Sequence, residues 1–571
     1  MTPFLLFRFS SCRRWLLALA LVLAGSRGYA QGVWQAVTNL PSAFTDVRAT
    51  TTDETGNVYL VGAFSGTLTL GNLTLTSVGG QDIFVAKWNS SGFVWAERAG
   101  GPGNDVATAV AVKGSSVCVG GTFAGATAGF GATTLTNAGP EATTDIFVAR
   151  YVDAGSTPGL SWAQQAGGAS NDELGAVAAT ATEVFAAGSF GGSARFGNQL
   201  LTTNGSTNPD IFITKLTTAG SSGSFVWTQS AGGMGIDTAT GLALSGANVY
   251  VAGSFSGTGS FGPSQVFSAG NQDIYVARLT DAGSTSSFAW VQRAGGANDD
   301  LVTSLVVARG TGVYVAGSFA SFAANFTGII LANNGNADLF VAKLNDISAT
   351  APVFSWAQRA GGTGFERATA LAVNGNNVYV AGQFNSPLVG FGTTSVLTNY
   401  QAGFFDILVA KIEDLGPSNT FTWAQQAGSP QHDMPTGLAV SGAKVYVVGG
   451  ATLPARFGNQ QLSGFTGTTT AFLATLLDPA VVTATRGPGP EPGWGMYPNP
   501  AHHRVTLQLP AGATRATATL LDATGRVVRT QHLTPAAPGT AEMSLSGLPT
   551  GLYYVRVQQG ALRTARPLRV E

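Results

Sequence analysis

Short apolar runs broken by glycine, asparagine and serine recur along most of the chain, and one of them sets a beat. The run DIFVAK from Asp82 returns as DIFVAR from Asp145, DIFITK from Asp210, DIYVAR from Asp273, DLFVAK from Asp338 and DILVAK from Asp406, then fades to TAFLAT from Thr470. In DIYVAR both alternating sets are apolar, Ile274 with Val276 and Tyr275 with Ala277. That is the pattern of a strand buried on both faces.

Three further elements keep the same spacing. Strands of the Val-aromatic-Val-Ala-Gly kind start at Val58, Val117, Val184, Val249, Val313, Val378 and Val445. Tryptophan strands carry Trp34, Trp95, Trp162, Trp227, Trp290, Trp356 and Trp423. Small-residue strands such as ATAVAV follow an acid at Asp46, Asp105, Asp172, Asp237, Asp300, Glu366 and Asp433. Four short strands per unit, repeated seven times with turns such as Asn374-Gly375-Asn376-Asn377, predict an all-β chain whose body is a seven-bladed β-propeller of four-stranded blades. A lone tryptophan strand opens the array at Val33 and no tryptophan strand follows Ala474. Residues 32–37 are therefore expected to supply the outer strand of the blade built from residues 433–477, which closes the ring.

Over residues 32–477 the repeat resembles the bacterial seven-bladed propeller repeat family, whose units read DIFVAKL...W...GG...D...A..V...NVYVAGSF. The resemblance implies a fold and almost no biochemistry. Recurrence itself argues for structural work. The acids Asp82, Asp145, Asp210, Asp273, Asp338 and Asp406 are expected to accept hydrogen bonds from turn amides, and the seven tryptophans to pack as outer strands. The connections between second and third strands vary most, which marks that rim as the binding face. The apolar residues recurring there (Leu70, Phe130, Phe196, Phe261, Phe326, Phe391 and Phe457) could stack sugars, but strict recurrence favours packing within the hairpin.

The start of the chain joins Arg8, Arg13 and Arg14 to an apolar run from Trp15 to Ala24 and a small-residue end at Gly28-Tyr29-Ala30. This reads as a secretory signal peptide over residues 1–30. The run is far short of the roughly 20 apolar residues that span a bilayer. Cys12 precedes it, so no lipid anchor is expected, and Cys118 alone remains in the mature chain. An internal disulfide is excluded.

Glycine at 77 residues and charged residues at 10% fit a turn-rich β protein. Residues 31–477 hold 16 basic and 25 acidic side chains, a net charge of −9. An acidic body argues against nucleic acid as a partner. His432 is the one histidine of that region, the others being His502, His503 and His532. A serine triad or a histidine zinc site would have to use it, and an exposed loop position is the plainer expectation. The acids Glu97, Glu173, Glu183, Asp299 and Glu413 do not repeat and show no partner in sequence. Residues 53–57 read as a hairpin turn rather than a calcium loop. The GG pairs follow tryptophan strands and do not open helices, so no phosphate loop is expected. No catalytic residue, cofactor or metal is assigned.

A glycine- and proline-rich linker is expected over residues 478–496, and a small β-sandwich-like domain over residues 497–571. That tail resembles the C-terminal sorting domain of type IX secretion. The matching residues are Tyr497-Pro498-Asn499-Pro500, then Leu521-Asp522-Ala523-Thr524-Gly525-Arg526, then Leu548-Pro549-Thr550-Gly551-Leu552-Tyr553 and a final strand ending at Val570. The resemblance implies passage through the periplasm of a Gram-negative bacterium, export by the type IX machinery, and removal of the tail with attachment of the body to surface lipopolysaccharide. The expected function is a non-enzymatic binding or adhesion module for glycans or proteins. A structural surface or matrix protein and a polysaccharide-active hydrolase or lyase are the alternatives.

Overall fold

Each segment with apolar residues on both faces forms a strand paired along both edges, from Asp82–Asn89 through Asp145–Asp153 and Asp406–Asp414 to Thr469–Leu477. The computed structural model describes residues 31–42, 44–204, 208–218, 222–308, 312–347, 351–416, 419–479, 481, 495–508, 516–522, 526–533, 540–559 and 562–571. The expected signal peptide and most of the expected linker lie outside them. The chain divides into a body up to residue 482 and a tail from residue 483. Both are all-β, built from small antiparallel sheets.

In the body, among the described residues, strands combine four at a time. Phe44–Thr52, Val58–Ser65, Asp82–Asn89 and Gly92–Ala99 pair in that order as repeat unit 1. Units 2 to 7 repeat the order and open with Val106–Lys113, Asp172–Ala179, Thr238–Ser245, Asp300–Ala308, Glu366–Asn374 and Met434–Ser441. Unit 7 takes its fourth strand from the other end of the body: Val33–Leu40 runs antiparallel to Thr469–Leu477, with Val37 opposite Ala474. A β-bulge recurs in the first strand, between Ala107 and Ala109 in unit 2 and between Val302 and Ser304 in unit 5. The bulge brings the Val106 carbonyl so near the second strand that a Cβ on Gly121 would lie 2.0 Å from it. Only glycine fits there, which accounts for the glycine of the Val-aromatic-Val-Ala-Gly strand.

First strands of successive units lie side by side, and that of unit 7 lies against that of unit 1. Threonine hydroxyls bridge them: Thr108 Oγ1 donates to Leu174 O at 2.6 Å, Thr303 Oγ1 to Ala368 O at 2.8 Å, and Thr436 Oγ1 to Val47 O. The apolar cores sit at the junctions. Tyr59, Ile83 and Trp95 of unit 1 pack with Val117, Phe123 and Phe147 of unit 2, and Tyr446 and Leu473 of unit 7 pack with Val58 and Phe84 of unit 1. Each such large side chain contributes about 1.5–3 kcal/mol by leaving water.

The variable connections are not free loops. They fold into hairpins that reach back to the fourth strand of the preceding unit. Ser193–Phe196 pairs with Pro158–Gly168, and Ala455–Phe457 with Asn419–Gly428. Single bridges link Gly100 to Gly129, Gly232 to Ser260, Gly295 to Asn325 and Gly361 to Gly390. Leu70, Phe130, Phe196, Phe261, Phe326, Phe391 and Phe457 are at most 1% exposed. Stacking on a sugar is closed to them, because alternation along each hairpin turns them inward.

In the tail, one sheet holds Gly495–Tyr497, Arg504–Gln508 and Thr540–Ser544, and the other holds Val527–Leu533, Ala516–Asp522, Gly551–Gln559 and Leu562–Val570. The two share a core that includes Val505, Leu507, Leu520, Met543, Val555 and Leu568.

Candidate functional site

The recurring acids Asp82, Asp145, Asp210, Asp273, Asp338 and Asp406 are fully buried at the heads of the third strands. Oδ2 of each accepts a turn amide, from Val78 at 2.8 Å, Ala138 at 2.7 Å, Asn204 at 2.9 Å, Ala269 at 2.7 Å, Asn334 at 3.2 Å and Tyr400 at 2.7 Å. Oδ1 of each has no partner among the described residues. Across the junction stands the acid that heads the next unit, itself held by two amides, as Asp172 is by Gly168 and Gly191. A glycine lies between the two carboxyls, placed so that a Cβ on Gly232 would be 2.8 Å from both Asp210 Oδ1 and Asp237 Oδ2.

Arginine reaches three of these pairs: Arg98 to Asp82 at 2.8 Å, Arg293 to Asp273 at 2.7 Å and Arg359 to Asp338 at 2.5 Å. The equivalent positions of the other junctions hold Gln165, Ser230 and Gln426. Burial, with the facing carboxylate adding to it, pushes Asp172 and Asp237 up to about 7. Burial likewise raises Asp145 to about 6 and, together with Asp433, Asp406 to about 7.

At the opposite end of the third strands a second set of acids does the reverse. Asp153, Asp281, Asp346, Asp414 and Asp478 each bind a cation of the preceding unit: Lys87 at 2.6 Å, then Lys215, Arg278, Lys343 and Lys411, each at 2.7 Å. Tyr314 Oη donates to Asp414 at 2.6 Å and Trp356 Nε1 to its other oxygen at 3.3 Å. Trp95, Trp227 and Trp290 make the same bond to Asp153, Asp281 and Asp346. Burial pushes Asp153 and Asp414 up, but the lysine and tyrosine bonds outweigh it and both end below the usual carboxylate range.

These pins were missed in sequence, although their signal is there: an acid eight residues after the head of the third strand. Ser90 and Thr218 hold that place in units 1 and 3. Of the matching indoles, Trp34 Nε1 donates to Gln426 O at 3.1 Å instead, while Trp162 Nε1 has no partner among the described residues. Trp423 Nε1 is also buried without one, although its unit has Asp478 as a neighbour. Glu183, solitary in sequence, pairs with Lys215 at 2.6 Å.

The first strands surround a cavity of about 560 Å³, lined by residues of all seven, among them Thr51, Ala111, Ala178, Ala243, Val306 and Val440. Each first strand pairs along one edge only, and no charged side chain lines the wall. His432 is exposed, and its Nδ1 accepts the Phe405 amide at 3.2 Å. Asp53 Oδ1 caps its own turn by accepting the amides of Thr55 and Asn57, each at 2.9 Å. Among the described residues no three His, Cys, Asp or Glu side chains gather as a metal site.

In the tail, Asn499 Oδ1 accepts the Arg569 amide at 2.9 Å, and Ala501 pairs in parallel with Val570. The entrance of the tail and its last strand are thereby joined. Residues 495–571 match the secretion system C-terminal sorting domain. The protein is thus secreted or displayed at the cell surface and handled by the type IX secretion system. Within the sorting domain Tyr497, Pro498 and Pro500 are exposed. Asp522 Oδ1 accepts the Arg526 amide at 3.0 Å. Tyr553, two residues after Gly551, donates from its hydroxyl to Pro549 O at 2.9 Å. Gly525 lies outside the described residues. The sorting domain begins with the strand Gly495–Tyr497, whose first two residues fall in the stretch expected as linker.

No curated protein matches the chain. Among solved structures, the Trypanosoma rangeli sialidase in complex with sialic acid is similar over 95% of this chain and 87% of that one, at 8% identity and a TM-score of 0.31. A likeness that slight carries no argument.

Proposed function

We propose that the body is a seven-bladed β-propeller acting as a non-enzymatic binding module, brought to the cell surface or released by its sorting domain. Support for the ring comes from the contact of unit 7 with unit 1, through Thr436 and Val47, and from the strand Val33–Leu40 on Thr469–Leu477. A closed ring leaves no sheet edge between its first and last units. Residues 1–30 act as the signal peptide, residues 478–494 as the linker, and the route runs through the periplasm to surface lipopolysaccharide.

The observation that carries the binding reading is the use of the recurring carboxylates. A hydrolase or lyase needs acids free to reach substrate, whereas the six acids that head the third strands are buried against turn amides and those at the strand ends are bound to lysine or arginine. A glycan array and a pull-down with the secreted chain test it. Binding in either, without cleavage of the polymer, is the expected result; silence in both, or cleavage, overturns it. Deleting residues 497–571 is expected to leave the body in the periplasm, and normal surface levels after that deletion would overturn the export route.

A further inference from the structure

One departure from the repeat gathers aromatic rings, at the heads of the strands of units 6 and 7. The two residues before the head of the third strand are Gly80-Gln81, Thr143-Thr144, Asn208-Pro209, Asn271-Gln272 and Asn336-Ala337 in the first five units, but Phe404-Phe405 in unit 6. The residue before the head of the first strand is Asn104, Asn171, Ile236 and Asp299 in units 2 to 5, but Phe365 in unit 6 and His432 in unit 7. These substitutions converge. The His432 ring lies 4.9 Å from that of Phe404 and 5.6 Å from that of Phe405, and Phe365 meets Phe405 edge-on at 6.0 Å and 81°.

The backbone that carries the rings is fixed. Gln272 N donates to Asp299 at 3.2 Å, Thr144 N to Asn171 at 3.1 Å and Gln81 N to Asn104 at 3.0 Å, and His432 Nδ1 takes over that acceptor's place for Phe405. The Phe365 amide donates to Asn385 Oδ1 at 2.7 Å. Gly403, at φ 94°, closes a turn in which the Phe404 amide donates to Gln401 O at 3.1 Å. The structural job is thus kept while small or polar side chains give way to rings. Yet the phenylalanines are only partly buried, and His432, Gln401 and Gln431 are exposed. Core packing alone does not account for a cluster of rings that keeps a face partly open to water.

We propose that Phe365, Phe404, Phe405 and His432 form a platform for one sugar ring of a neutral glycan, a reading that rests on the binding function above. A pyranose has a face of C–H groups and an edge of hydroxyls. The rings take the face, and Gln401, Gln431 and the imidazole serve the edge. With Nδ1 accepting from Phe405, a neutral imidazole carries its proton on Nε2 and donates. The net charge of −9 on residues 31–477 disfavours an anionic polymer.

The test is native electrophoresis of the full secreted chain through gels containing xylan, laminarin, galactomannan or hydroxyethylcellulose. The comparison is a variant that installs the residues of other units, Phe404→Asn, Phe405→Gln and His432→Asn, with Phe404→Asn alone as a second variant should the triple one misfold. The expected result is retardation by at least one polymer, weakened about tenfold in the variant, at an unchanged melting temperature. Equal retardation of both proteins overturns the platform and leaves the binding function standing. Retardation of neither overturns the platform too, and the pull-down then decides the binding function by itself.

Discussion

Asp145 and Asp153 stand at the two ends of one strand, and their surroundings drive them in opposite directions. Both carboxyls are buried, which alone would raise both. Asp145 faces Asp172 with Gln165 where other units place arginine, and rises to about 6. Asp153 meets Lys87, Tyr59 and Trp95 and ends below the ordinary range. The strand ends therefore hold neighbouring units together by different means. One is an ion pair with two neutral donors; the other is a pair of carboxyls that amides stabilise and like charge opposes.

The largest effect is expected where an ion pair is broken. Asp414→Ala leaves Lys343, Tyr314 and Trp356 of the preceding unit without their shared acceptor. A buried cation without its partner costs about 3–5 kcal/mol, to be read as a shift of the denaturant midpoint. A loss as small as that of an exposed ion pair, about 0.2–1 kcal/mol, would show that the two ends do not differ in kind.

This contrast was only half legible in the sequence. The third strands could be read because both of their faces are apolar, and the unpaired strand at Val33 pointed to Thr469–Leu477 because a missing fourth element has one open edge to fill. The heads of the strands could be placed as turn acceptors from their repetition. Their pairing could not, because Asp145 and Asp172 approach each other through an inter-unit packing that no local pattern encodes. The pins at Asp153 and Asp414 were hidden for another reason: an acid close before a turn looks like an ordinary solvated loop residue until its partner in the preceding unit is known. The inward turn of the hairpin residues was legible from their strict recurrence, and Phe196 and Phe326 are buried as expected, but the clasp onto the preceding unit was not, because it too is an inter-unit contact.

A second consequence is a stability optimum on the acid side of neutrality. Asp172 and Asp237, at about 7 when folded against 3.8 in an ordinary setting, bind protons more tightly in the folded chain. Their contribution is complete below that ordinary value and is lost as pH rises through about 7. Asp153, Asp281 and Asp414 are lowered, so theirs is present above the ordinary value and is lost as pH falls below it. The melting temperature is therefore expected to be higher near pH 5 than near pH 8. A profile flat from pH 5 to pH 8 would mean that the carboxyl pairs do not oppose folding.

The smallest effect separates junctions with and without arginine. In Asp145→Asn, Oδ1 and the amide nitrogen divide the two places of the carboxylate: one still accepts from Ala138, which bonds Asp145 at 2.7 Å, and the other becomes a donor where Asp145 Oδ1 has no partner. One buried charge facing Asp172 disappears at the same time. The variant is expected to be more stable than the native chain near pH 8 by about 1 kcal/mol, the net worth of a hydrogen bond. Near pH 5 the gain should shrink, because the native pair already holds a proton there. Asp82→Asn is the matched control, since Asp82 accepts from Arg98 at 2.8 Å. There the substitution removes the anion and strands a guanidinium, so stability should fall. Denaturant midpoints of both variants at the two pH values decide the matter. Equal changes of one sign would sink the claim that arginine shifts the balance that burial sets at the heads of the strands.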